Sequence, residues 1–289
     1  MNFLNKQYTQ EGLKLALPVM LTQVGQVSVN LFDNIIVGKL LGAQALASVS
    51  LGNALFFSIF VLALGFSFAI PPLVSEANSQ KKHDVINSVF RHGFVINLGI
   101  GILLMIILLS ALPLIYHLDQ PKEIIPNTIS FLSIMAFTMI PFMMFQTLRE
   151  VSEGLSFTIG VTKATIIANV INIVLNYVFI KGLFGLPAMG VQGSALATLI
   201  ARIFMVIFLY FVLVKEPKTR RYIKEFSLKI SLFTKEMFNK MFKLGLPTAL
   251  QMFFEVTAFA AAAFICGLIS STDIASHQIA LSMASFTFN

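Results

Sequence analysis

Long stretches of this chain run without a single Asp, Glu, Lys or Arg, among them Leu40–Ser75, Gly93–Leu118 and Ala164–Ile180. About 20 apolar residues in helical conformation cross the hydrocarbon core of a bilayer. Such runs dictate an all-α, polytopic helical membrane protein. Composition agrees: 57% of the residues are hydrophobic and 11% are charged, where a soluble domain carries about 25% charged residues.

Apolar runs and their polar breaks place spans at about 15–38, 46–73, 93–115, 128–148, 164–183, 190–214 and 244–270. An eighth begins near Ile274. Only 16 residues follow from there to Asn289, too few to cross, so the chain is expected to break off inside a membrane helix. The start is polar for 14 residues and then apolar for 24. That profile reads as a short cytoplasmic tail and a retained first span, not a cleaved signal.

Lysine and arginine set the orientation of short loops. The N-terminal tail and the second, fourth and sixth loops hold 16 of the 20 basic residues, the alternate connections only Lys39, Lys122 and Lys181. The N-terminus is therefore expected on the cytoplasmic side of the inner membrane. Because the positive charge flanks apolar spans, the net charge of +7 points to a bilayer and not to nucleic acid. The sixth loop, 215–243, carries nine basic residues. It is expected to be a cytoplasmic linker, with Phe226, Leu228, Ile230, Leu232 and Phe233 lying along the membrane surface.

The linker separates two similar beginnings. Lys14-Leu15-Ala16-Leu17-Pro18-Val19-Met20-Leu21 matches Lys243-Leu244-Gly245-Leu246-Pro247-Thr248-Ala249-Leu250 at an offset of 229 residues. Six spans lie between the copies, so both enter from the same side. This organisation gives a six-span N-terminal lobe (1–214), the linker (215–243) and the start of a repeated second lobe (244–289). Transporters bind substrate between such repeats.

Of 13 acidic residues, only Asp33 and Glu255 fall inside spans; the others, Glu150 among them, read as loop or span-end residues. Intramembrane carboxylates are costly and usually face a cavity. Asn169, Asn172 and Asn176 share one face of the fifth span, and Ser194 and Thr198 lie four apart in the sixth. These amides and hydroxyls either bridge helices or line a polar site able to hold a hard cation through oxygen. Arg202 lies too deep for easy snorkelling, so it needs an internal partner that the sequence does not name. Pro18, Pro141 and Pro247 each remove a helical hydrogen bond and permit a bend. The lone Cys266 and the four scattered histidines form no zinc or disulfide framework, and no Ser/His, HExxH or paired-aspartate arrangement occurs in the spans. An enzyme is not expected.

Three patterns in order carry a family resemblance: Pro18 with "FDNIIVGKLLG"; Arg149 followed by "EGLSFTIGVTKATIIANVINIVLNYVFIKGLFGLPAMGVQGSALAT"; and Pro247 with "FFEVTAF" and "ASHQIAL". The chain resembles the multidrug and toxic compound extrusion family, in its NorM-like branch. The resemblance implies two six-helix lobes around a central cavity and export of organic cations or hydrophobic drugs in exchange for sodium ions or protons, with no other cofactor. It implies proton coupling at Asp33, a polar cavity site at Asn172, Asn176 and Thr198, and a helix bend at Pro18, with Pro247 its repeat-related counterpart. Glu255 matches the coupling-cation residue and is a candidate sodium ligand. Asn176 stands where some relatives have aspartate. Two other readings stay open: a flippase for lipid-linked sugars, disfavoured because Arg202 is the only basic residue deep in a span, and a membrane scaffold or inactive fragment that transports nothing.

Overall fold

The computed structural model describes residues 20–22, 25, 32–117 and 121–269, with side chains as far as residue 258. Pro18, the first copy of the repeated block up to Val19 and the eighth span lie outside the described residues, and the side chain of Cys266 lies outside the described side chains. Among the described residues all regular structure is helical. Helix α1 covers 32–41. It is followed by α2 (Ala43–Ser67), α3 (Ile70–Ser79), α4 (His83–Ala111), α5 (Ile125–Phe137), α6 (Met139–Gly154), α7 (Ile159–Lys181), α8 (Gly190–Lys215), α9 (Pro217–Lys224) and α10 (Lys235–Ile269).

Four of these segments are long and apolar enough to cross a bilayer: Ala43–Ser79, His83–His117, Ile159–Lys181 and Gly190–Lys215. Helices α5 and α6 make a fifth if taken together, bent by 40°. The bend at Thr138 has a chemical cause. Pro141 has no N–H to offer the carbonyl of Phe137, so the helical ladder opens one turn before the proline. Pro71 and Pro72 act in the same way on α2 and α3, which part at Phe68 and Ala69. The 26 residues of α8 rise about 39 Å, more than the hydrocarbon thickness of about 30 Å.

Large apolar side chains such as Leu103, Ile106, Val170 and Phe211 point outward, each more than half exposed. That surface suits lipid. Between helices lipid is as apolar as leucine, so association rests on close packing and on small residues. A Cβ on Gly193 of α8 would lie 2.9 Å from the backbone and side chain of Phe179 on α7, and glycine is what lets these helices meet. The crossing of α2 and α10 is tighter still. A Cβ on Gly65 would fall 2.2 Å from Cα of Ala249. Two residues beyond Pro247, α10 is thus pressed backbone to backbone against α2. Helix α10 runs through Pro247 and begins at Lys235, within the stretch read as linker.

The basic linker is held by protein contacts. One face of α4, at His83, Asn87, Phe90 and Phe94, follows the helical repeat. His83 Nδ1 pairs with the Tyr222 hydroxyl at 2.7 Å, and Asn87 Nδ2 donates to Glu225 at 2.8 Å. Phe90 and Phe94 pack on Phe226 at 4.7 and 5.2 Å. One turn away, His92 Nδ1 donates to the Ser88 carbonyl at 2.7 Å, which leaves Nε2 to accept the Thr234 N–H at 3.0 Å. Phe233 and Phe238 close on the same ring at 5.0 and 4.7 Å. Phe226 and Phe233 therefore bind α4, unlike the surface placement their pattern suggests. Leu228 and Ile230 do stay exposed, Ile230 at 89%. Hydrogen bonds from Asn87 and then Arg221 hold the Glu225 carboxyl below the usual carboxylate range.

Candidate functional site

Asp33 sits at the second position of the described part of α1 and is buried. Its carboxylate accepts a hydrogen bond from Asn176 Nδ2 on α7. One turn earlier on α7, Asn172 Nδ2 donates to the Thr198 hydroxyl of α8 at 3.2 Å, and that hydroxyl donates to the Ser194 carbonyl at 3.1 Å. The four-residue spacing on α7 and α8 aligns these groups, and the α7–α8 contact through Gly193 holds the two stripes together.

Three amide oxygens in this region are buried without a hydrogen-bond partner: Asn34 Oδ1, Asn172 Oδ1 and Asn176 Oδ1. A buried acceptor left unpaired costs about 1–3 kcal/mol. Asn34 and Asn172 line one cavity with Asp33, and Asn176 bonds it; oxygens of this type are what hard cations take. Asn169, on the same face, bonds instead to the Gly25 carbonyl at 2.8 Å. With the Thr22–Thr162 hydroxyl pair at 2.9 Å, it ties the described pieces of the first span to α7.

Asp33, Asn172 and Thr198 line one cavity of about 520 Å³. Its opposite wall is aromatic: Phe56, Phe57 and Phe60 from α2, Phe131 from α5 and Phe142 from α6. Arg202, third in the α8 stripe after Ser194 and Thr198, also lines it. Its Nη1 donates to the Thr138 hydroxyl at 2.5 Å. Its guanidinium carbon lies 4.9, 5.3 and 5.7 Å from the ring centres of Phe142, Phe56 and Phe60. Thr138 sits at the α5–α6 bend ahead of Pro141; its hydroxyl donates to the Met135 carbonyl at 2.6 Å and accepts from Arg202. This is the partner the sequence left unnamed.

Glu255 is elsewhere. It lies exposed on α10 and is not among the residues lining the Asp33 cavity. Pro247 is exposed on the same helix. Among the described residues no group of three or more His, Cys, Asp or Glu could hold a metal ion. A cation at Asp33 would therefore depend on neutral amide and hydroxyl oxygens beside one carboxylate.

Sequence reasoning missed Glu150. Read as a loop residue, it is in fact 1% exposed, with neither carboxylate oxygen hydrogen-bonded. It follows Arg149 on α6 and precedes Glu153, and that charged run reads as a water-facing helix end. Arg149 pairs with Glu153 at 2.8 Å and leaves Glu150 turned into the bundle.

Comparison with known proteins gives the geometry its context. A profile of the MatE family matches residues 18–178, more than half of the chain. The multidrug resistance protein NorM of Photobacterium profundum is 33% identical over 98% of this chain and 61% of its own length. A probable NorM of Agrobacterium fabrum is 32% identical over 96% of this chain and 59% of its own. The chain thus spans about three fifths of the length of these curated relatives. The crystal structure of the eukaryotic MATE transporter AtDTX14 superposes with a TM-score of 0.82 at 18% identity, covering 96% of this chain and 61% of that one. Fold, helical bundle and matched residues agree: the chain belongs to the MatE family of multidrug and toxic compound extrusion transporters.

Proposed function

We propose that this chain supplies the first lobe, and the beginning of the second, of an antiporter that exports small-molecule drugs across the cytoplasmic membrane in exchange for sodium ions or protons. The observation that carries the reading is the buried Asp33–Asn176 pair beside a cavity with an aromatic wall. A carboxylate surrounded by unpartnered amide oxygens suits a cation or a proton. The adjoining rings suit a flat organic molecule. The two ligands share one cavity, so occupation by one changes the free energy of the other. Only such differential binding to two arrangements of the lobes can drive export.

Glu255 enters as a second cation ligand, through the resemblance of "FFEVTAF" to the NorM-like branch. On this reading Glu255 belongs to a site in the second lobe, separate from the Asp33 cavity, which it does not line. The excess of basic residues in the tail and even-numbered loops supports an N-terminus on the cytoplasmic side.

Drug export from everted membrane vesicles tests the reading. Under an imposed sodium or proton gradient, Asp33→Asn should lower export at least about tenfold, the scale of a typical coupling energy. Wild-type export by that variant would overturn it.

A further inference from the structure

Arg202 is unusual among the charges of this fold. It reaches into the cavity from the face of α8 that also carries Ser194 and Thr198. Only one of its five N–H donors is used within the described protein, by Thr138 at 2.5 Å. It is not a contact partner of Asp33. Among the described residues the ion pairs are Arg149–Glu153, Arg221–Glu225 and Lys240–Glu76. Asp33, which is buried, and Arg202, which is half-buried, line the same cavity. A guanidinium in a low-dielectric site without a contact anion is costly. Three phenylalanine faces and one hydroxyl offset only part of that cost and fix the plane of the fork.

The fold therefore holds a planar, oriented, largely unused donor array at the edge of an aromatic cavity. A guanidinium fork matches the two oxygens of a carboxylate. We propose that Arg202 is the anion-recognition residue of this cavity, and that the cavity takes flat aromatic carboxylates, with the carboxylate on Arg202 and the ring among Phe56, Phe60 and Phe142. The inference rests on the reading of this space as a substrate cavity and adds a ligand class opposite in charge to an organic cation.

The test is equilibrium binding of naphthoate, its neutral isostere naphthamide, and naphthylmethylammonium to the purified chain in nanodiscs near neutral pH, corrected for empty nanodiscs. Wild type should bind naphthoate at least about tenfold more tightly than naphthamide, a difference of about 1.4 kcal/mol. Arg202→Met should abolish that preference, so that naphthoate and naphthamide bind the variant equally. Arg202→Lys keeps the charge without the fork and should retain part of the preference, which separates recognition from a folding defect. Equal binding of naphthoate and naphthamide by wild type overturns the inference, as does a preference that survives Arg202→Met. If naphthylmethylammonium binds and naphthoate does not, the anion site fails alone. If none of the three binds, the substrate-cavity reading beneath it fails as well.

Discussion

Asn176 on α7 donates a hydrogen bond to the carboxylate of Asp33 on α1, joining residues 143 positions apart in the chain. That one contact links the first span to the α7–α8 pair and places the charge of Asp33 at the head of the cavity. Replacing Asn176 by alanine leaves the buried carboxylate without its donor. We expect a loss of about 1–3 kcal/mol in stability, seen as a lower denaturation midpoint in detergent. Gradient-driven export should fall with it. Asn169→Ala removes a bond to the Gly25 backbone outside this pair and should leave the response to cation intact.

Gly65 and Ala249 meet at the crossing of α2 and α10, where a Cβ on residue 65 would lie 2.2 Å from backbone. Gly65→Val should force the helices apart and cost about 1–3 kcal/mol, read as a drop in thermal midpoint. Gly99 on α4 is the control. It has nothing within 4 Å of an added Cβ, so Gly99→Ala should be neutral or gain up to about 1 kcal/mol from helix propensity. Equal effects at the two glycines would contradict the account of this crossing.

The linker should loosen in acid. Glu225 is held below the usual carboxylate range, first by Asn87 and then by Arg221. A depressed pKa contributes linker stability that is present above the ordinary carboxylate value and is lost as pH falls through the lowered one. Hydrogen exchange of the 217–234 amides, followed from neutral to acid pH, should show protection lost at the low end. Asn87→Leu should move that loss to higher pH.

How much of this was legible beforehand depends on the range of the interaction. The apolar runs and the Asn172/Asn176 and Ser194/Thr198 spacings are local, and helical periodicity alone puts each pair on one face. Asp33 stood out because an acid among apolar residues is conspicuous. Arg202 was conspicuous too, but its partner Thr138 lies 64 residues away and is presented by a bend that Pro141 signals only in part. Glu150 was hidden by its charged neighbours, which made a buried turn look wet. The docking of the linker on α4 could not be read either. Phe226 and Phe233 have an amphipathic pattern that serves a lipid surface or a protein face equally well, and only the placement of His92, Phe90 and Phe94 decides between them.

The central claim is that cation and drug are coupled through Asp33. The most direct measurement is the affinity of an aromatic organic cation for the purified protein, titrated against sodium at fixed pH and against pH at fixed sodium. In wild type the drug should bind more weakly as sodium or proton concentration rises, and Asp33→Asn should bind it without either dependence. A wild-type response to both in Asp33→Asn would contradict the account.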